Sequence, residues 1–332
     1  LGVAVVGLGI GEQHARAFAA DPRASLRWLH DTDTGRAERL ARELPGARPA
    51  PDWHTLLSDP AVHIVSIASF DRDHFGQASE ALRAGKHVFI EKPLCTTAAE
   101  LKELKALWAG SGGKLKLGSN LVLRTAPAYR WLRDSLLQGA LGTLYAFDGD
   151  YLYGRVHKIT HGWRASSEAY SVMLGGAIHL VDLLLWLTGE RPLRASASGN
   201  RISTAGSAFS QDDFCAATLE FPSGLVARIS ANFGCVHRHQ HVVRAFGTRA
   251  TFLYDDAGAR LHASRDPATP ARALDMPALP PGKGALIPAF IDAIEGAPGY
   301  DAVTQSFFDG ISVCLAIDEA ARQGTKRTID YP

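Results

Sequence analysis

The stretch 3–15, VAVVGLGIGEQHA, constrains this chain more than any other. An apolar run stops at Gly7, glycines recur at 9 and 11, and helical spacing begins at once in EQHARAFAA. That pattern reads as a strand, a tight turn and a helix. Glycines at such a turn let the backbone come close to a pyrophosphate, which the helix N-terminus then stabilises. The usual G-x-G-x-x-G spacing needs glycine at position 12, where this chain has Glu; a turn one residue shorter puts Gly11 in the third glycine's place. The plain alternative is an ordinary βα turn. The next strand, SLRWLHD, ends at Asp31, 20 residues after Gly11. A carboxylate there accepts hydrogen bonds from an adenosine ribose and repels a 2′-phosphate, so NAD is expected over NADP. Arg36 is near enough to soften that preference, although within the helix GRAERLAREL it reads first as a solvated residue.

Over residues 1–120 strands and helices alternate: SLRWLHD and GRAERLAREL, VHIVSIAS and HFGQASEALRAG, KHVFIE and AAELKELKALWAG, then KLKLGSN. Short connections between alternating elements predict a doubly wound parallel sheet. Residues 121–332 have another texture. A helix at 128–138 precedes GTLYAFDGDYLYG and the very apolar helix AIHLVDLLLWLTG; FCAATLEF, LVARISANF, HVVRAFG and ATFLYDD then read as successive strands. Strands in sequence predict a mostly antiparallel sheet in an α+β domain. The proline-rich segment 264–284 reads as an irregular connection, and a helix over 304–323 closes the chain.

Composition narrows the class of protein. The chain has 332 residues and a formal net charge of +1, so neither nucleic acid nor an anionic membrane is an expected partner. No apolar run approaches the roughly 20 residues of a membrane helix. The first residues are apolar without a basic n-region, and read as a strand rather than a signal peptide. Cys95, Cys215, Cys235 and Cys314 are scattered without C-x-x-C, which fits reduced thiols in a cytoplasmic protein.

The strand KHVFI runs directly into Glu91-Lys92-Pro93. In an open α/β sheet, ligands bind beyond the carboxyl ends of the strands. A lysine there can reach the cofactor's reactive end, hydrogen-bond a substrate oxygen and stabilise negative charge on it. The alternative is a strand-end lysine in solvent. GKHVFIEKPL resembles the hallmark segment of the Gfo/Idh/MocA oxidoreductases. The preceding SIASFDRDHFGQASEALRAGKHV resembles the family's strand, Asx-x-x-His turn and helix, with Asp71 and His74 in place. GGAIHLVDLLLWLTG resembles its second-domain motif, with His179 and Asp182 in place.

The resemblance implies a Rossmann domain followed by an open-faced α/β domain that often mediates oligomer contacts, here a homodimer or homotetramer. It implies NAD(P)-dependent hydride transfer with a sugar, inositol or related polyol. It makes Lys92 the active-site lysine and His179 the general acid/base; read alone, His179 is first a buried core histidine. Gly7, Gly9, Gly11, Asp31, Ser69, Asp71, His74, Glu91 and Lys92 are then the cofactor residues, and Lys92, Arg124, Trp163, Arg164, His179 and Asp182 face substrate. Many members have Asp four residues before the histidine, where this chain has Gly175. That departure keeps open a non-catalytic dinucleotide-binding regulator on the same scaffold.

Two further segments stand out. His237, His239 and His241 alternate in HRHQH; with no carboxylate or cysteine at ligand spacing, no metal is expected, and a solvent-facing or subunit-contact strand is the simpler reading. The segment YGRVHKITHGWR, 153–164, mixes aromatic and basic residues. Aromatic faces and polar tips suit a carbohydrate, while Arg155, Lys158 and Arg164 suit equally a phosphate or carboxylate; the bland alternative is a solvated loop.

Overall fold

The structure, a computed structural model, describes residues 1–165, 167 and 169–332. In chain order its first elements are β1 (Gly2–Val6), α1 (Gly11–Ala20), β2 (Ser25–His30), α2 (Thr34–Glu43), β3 (Arg48–Pro49), α3 (Trp53–Ser58), β4 (Ile64–Ile67), α4 (His74–Arg83), β5 (His87–Ile90), α5 (Ala98–Gly110) and β6 (Leu117–Ser119). Then come α6 (Pro127–Leu137), β7 (Leu144–Leu152), α7 (His157–Thr160), α8 (Ile178–Thr188), β8 (Arg194–Asn200), β9 (Phe214–Glu220), β10 (Val226–Asn232), β11 (Gln240–Gly247), β12 (Thr251–Asp255), β13 (Gly258–His262) and β14 (Arg272–Leu274). The chain closes with α9 (Ile287–Ile294), α10 (Tyr300–Gln323) and β15 (Arg327–Thr328).

Six parallel strands in the order β3-β2-β1-β4-β5-β6 form the first sheet. The order reverses direction at β1, the switch point of a doubly wound sheet. Every residue of β1 and β4 is buried, as parallel strands covered on both faces require. Local chemistry agrees with the element ends: Asp33 caps α2, and Thr97 and Glu100 form a reciprocal capping box on α5. The core joins Val3, Val5, Phe18, Leu29, Ile64 and Phe89 to Ile287, Phe290 and Ile291 of α9.

Nine strands form the second sheet, β14-β13-β12-β11-β7-β10-β9-β8-β15, antiparallel apart from the β7–β10 pair. Burial alternates along β10: Ala227, Ile229 and Ala231 are covered, while Arg228 and Ser230 face outward. Outward charges pair across strands, Arg228 with Asp148 and Arg244 with Asp150 at 3.0 Å. The helix α8 is buried along nearly its whole length.

The two units are residues 1–122 with 281–308 and 332, and residues 123–280 with 309–331. The return of 281–308 to the first unit is not visible as a linear boundary. The strand β8, RASASGN, has little apolar alternation and owes its extended form to pairing with β9. The helix α9 follows the proline-rich connection and carries Pro288 in its first turn, where its missing N–H is harmless. Among the described residues no helix is long and apolar enough to cross a membrane.

Candidate functional site

In the first unit, the glycine turn has the shape a dinucleotide needs. Gly7 has φ of +78°, and a Cβ there would lie 2.4 Å from the Ala68 carbonyl oxygen. Gly11 opens α1, and a Cβ there would press on Ala68 and Val5 at 3.2 Å, so this glycine permits the close helix–strand approach. Between them Gly9 has no atom within 4 Å of its Cβ position. No side chain caps α1. The turn is thus an open cradle at an uncapped helix N-terminus, and it fits a pyrophosphate.

Asp31 stands immediately after β2 and is buried. Its carboxylate accepts from the Leu8 N–H at 2.6 Å and the Asp33 N–H at 2.9 Å. Arg36 also reaches it, at 3.3 Å. Arg36 is therefore not merely a solvated helix residue: it sits in the first turn of α2, close enough to pair with Asp31.

The Lys92 turn is braced from two sides. On one side, buried His74 donates from Nδ1 to the Pro93 carbonyl at 2.6 Å, with Nε2 at 3.3 Å from the Ser69 carbonyl. The Ser69 hydroxyl donates to Gln77 at 2.6 Å, and Asp71 begins the short 3₁₀ turn before α4. On the other side lies a polar network that the sequence reading missed. The fully buried His14 of α1 contacts Glu91 at 3.2 Å through Nε2 and the Ser66 hydroxyl of β4 at 3.0 Å through Nδ1. Asn120 donates to the same Glu91 oxygen at 2.6 Å. Burial alone would raise the Glu91 carboxyl; the hydrogen bond and charge of His14, the Lys92 charge and Asn120 outweigh it and hold it down at about 2. The Lys92 N–H donates to this carboxylate at 3.3 Å, and the Lys92–Pro93 peptide is cis. The available signal was a set of polar residues at buried positions: His14 on the apolar face of α1, Ser66 inside a fully buried strand.

In the second unit, His179 lies in the first turn of α8 and is buried, its ring edge-on to His241 at 5.6 Å. A π-helical turn, Met173–Ala177, leads into it. Asp182, one turn further on, is fully buried and takes a two-pronged pair from Arg124, Nε to Oδ2 at 2.8 Å and Nη2 to Oδ1. Burial raises the Asp182 carboxyl, only partly offset by the Arg124 charge and hydrogen bonds. The structure brings Arg124 and Asp182 to one another.

His241 is not solvent-facing: it is buried at the start of β11, edge-on to Tyr151 at 5.2 Å, with His239 at the same distance from that ring. His237 and His239 precede β11; His239 is exposed, as expected, and His237 contacts Asp256 at 3.0 Å. At Gly175 a Cβ would lie 2.1 Å from the Tyr170 hydroxyl, and at Gly176 2.4 Å from the Tyr151 ring. The two glycines let these tyrosines lie against the turn that leads to His179. Trp163 meets Tyr170 edge-on at 6.2 Å, and the Arg164 guanidinium lies 4.3 Å over the Trp163 ring.

Two family models match in succession: the oxidoreductase family with an NAD-binding Rossmann fold over residues 1–119, and the Gfo/Idh/MocA C-terminal domain over residues 129–253. The chain belongs to the Gfo/Idh/MocA family. Within that family, it is 35% identical to inositol 2-dehydrogenase of Acidothermus cellulolyticus over 61% of this chain and 58% of that protein. The matches to this and two further relatives span 55–58% of those proteins' lengths. It is 25% identical to levoglucosan dehydrogenase of Pseudarthrobacter phenanthrenivorans over 100% of this chain and 98% of that one. A solved levoglucosan dehydrogenase in complex with NADH shares the fold, with a TM-score of 0.85, 20% identity and 100% of both chains covered.

Proposed function

We propose that this Gfo/Idh/MocA protein is a dehydrogenase or ketoreductase that moves a hydride between a nicotinamide dinucleotide and a sugar, inositol or related polyol. The observation that carries this reading is the bracing of Lys92. A protein that only bound the dinucleotide would have no need to hold a strand-end lysine between the His74–Pro93 bond and an ionised Glu91. The names of the relatives, inositol 2-dehydrogenase and levoglucosan dehydrogenase, support the substrate class.

The turn with Gly7, Gly9 and Gly11 would take the pyrophosphate, and Asp31 the adenosine ribose, favouring NAD over NADP. When bound, the nicotinamide supplies the hydride acceptor or donor. Lys92 binds the reacting oxygen of the substrate and stabilises the negative charge that develops on it. His179 takes the proton from that hydroxyl during oxidation and returns it during reduction. A carbinol carbon releases hydride readily only while its O–H proton is leaving, so the two groups act as a unit.

The test is NADH affinity and turnover over a panel of polyols and keto-sugars for wild type, Lys92→Ala, His179→Ala and the double variant. Each single variant keeps its fold and NADH binding and loses about 10²–10⁴ in kcat. The double variant is little worse than the poorer single one, because both act on one oxygen. Full activity of Lys92→Ala on a confirmed substrate would sink the assignment. The second reading, a binding-only regulator, draws on Gly175, where the space of a side chain is taken by the Tyr170 hydroxyl; it predicts tight NADH binding and no turnover on any member of the panel.

A further inference from the structure

We propose that the segment leading from β7 into α7 forms a subsite for an anionic group, a carboxylate or phosphate, carried by the carbohydrate substrate, with Arg155 as its principal ligand. This rests on the reading of His179 as the group that serves that substrate.

The charge pattern is one-sided. Residues 151–165 contain Arg155, His157, Lys158, His161 and Arg164 and no Asp or Glu. Four arginines elsewhere in this unit hold carboxylates: Arg228 holds Asp148, Arg238 holds Asp256, Arg244 holds Asp150 and Arg260 holds Asp255. Among the described residues Arg155 has no such partner, and its Nε is buried without a hydrogen bond. A sealed, unbonded guanidinium nitrogen is costly to keep, and an anion arriving there repays that cost.

The position is built rather than loose. Gly154, with φ of +60°, packs so tightly that a Cβ would lie 1.8 Å from the His237 carbonyl oxygen, which fixes the turn presenting Arg155. The Arg155 guanidinium stands 4.6 Å over the Tyr153 ring. Tyr153 stacks on Tyr151 at 6.1 Å, Tyr151 meets His241 at 5.2 Å, and His241 meets His179 at 5.6 Å. Arg155 and the proposed acid/base are thus joined by one continuous chain of ring contacts. Planar guanidinium groups grip carboxylate and phosphate through paired N–H donors, which a neutral hydroxyl cannot match.

The experiment is calorimetric titration of the NADH-loaded protein with D-glucose, D-glucuronate and D-glucose 6-phosphate, and with sorbitol and gluconate, at low ionic strength. At least one charged sugar binds about tenfold or more tightly than its neutral counterpart, as a charge-assisted hydrogen-bond pair implies. The uronate and phosphate arms tell which anion fits. Arg155→Ala brings charged and neutral affinities to within about twofold with NADH affinity unchanged, and Arg155→Lys retains part of the preference. Equal affinity for charged and neutral sugars in wild type, no binding of any charged sugar, or a preference that survives Arg155→Ala overturns the proposal. Turnover of neutral polyols without acid preference removes the subsite and leaves the dehydrogenase standing. Arg155-dependent binding of charged sugars without turnover of any sugar keeps the subsite and removes the dehydrogenase.

Discussion

The Glu91 carboxylate and the His14 imidazole face each other at 3.2 Å beneath the strand end that carries Lys92. One comes from the residue after β5, the other from α1, and Asn120 closes the network from the residue after β6. Removing one hydrogen-bond partner of a buried carboxylate typically costs about 1–3 kcal/mol. His14→Ala should therefore lower stability by roughly that amount at neutral pH, and reduce kcat more than NADH affinity. Glu91 is held below its ordinary value, so its contribution is present above about pH 4.5 and is lost as pH falls toward about 2. Denaturant midpoints of wild type and Glu91→Gln should differ at pH 7 and converge near pH 2. A constant difference across that range would show that the Glu91 charge is not what stabilises the turn.

Asp31 and Arg36, 3.3 Å apart, should set cofactor choice together. Fluorescence titration should give tighter binding for NADH than for NADPH in wild type. Asp31→Ala removes the repulsion of a 2′-phosphate and releases Arg36, so it should narrow the gap by about tenfold or more. Arg36→Ala should widen it. Tighter NADPH binding by wild type would refute the ribose role of Asp31.

Asp182 and Arg124 neutralise each other in the interior of the second unit. Asp182→Ala leaves a buried guanidinium and should cost about 3–5 kcal/mol, while replacing both residues by Leu and Met should recover most of that loss. If instead Asp182→Ala keeps the melting temperature and raises KM for the polyol, its carboxylate contacts substrate and the fold role is wrong.

Asp318 of α10 is pushed up to about 6 by burial, against the hydrogen bond from Ser171 and the charge of Arg322. A carboxyl with a raised folded pKa contributes stability while protonated. That contribution is complete below about pH 4 and lost as pH rises through about 6. The shift from 3.8 to about 6 corresponds to on the order of 3 kcal/mol. Urea denaturation at pH 4 and pH 7 should show wild type losing about that much more than Asp318→Asn. Parallel behaviour of the two proteins would mean that Asp318 is ionised without penalty in the folded chain.

Much of the scaffold was legible in the chain before any coordinates. The spacing of apolar residues announced β1, α1, β2, α2, β4, α4, β5 and α5, because strands of a buried parallel sheet are apolar runs and its helices carry one apolar stripe. Hairpin runs such as 214–221 and 225–233 were equally plain from their alternation. The elements that escaped were β3, α3, α7, β8, β13, β14, α9 and β15. Their own residues express weak preferences, and neighbours far along the chain supply the pairing or burial that makes them regular.

The sequence by itself determined the Rossmann turn, the acidic residue after β2, the lysine after β5 and the histidine of α8, since each lies in a local pattern of a few residues. Tertiary structure alone decided what those groups touch. His14, Ser66, Glu91 and Asn120 come from four separate stretches and become one network only when β4, β5 and β6 lie side by side with α1 above them. In the same way, Arg124 found Asp182 across 58 residues, and Tyr170 found the space beside Gly175. A local pattern is written in backbone propensity and hydrophobic period. A buried polar contact depends on which distant atoms share a low-dielectric interior, and only the folded chain brings those atoms together.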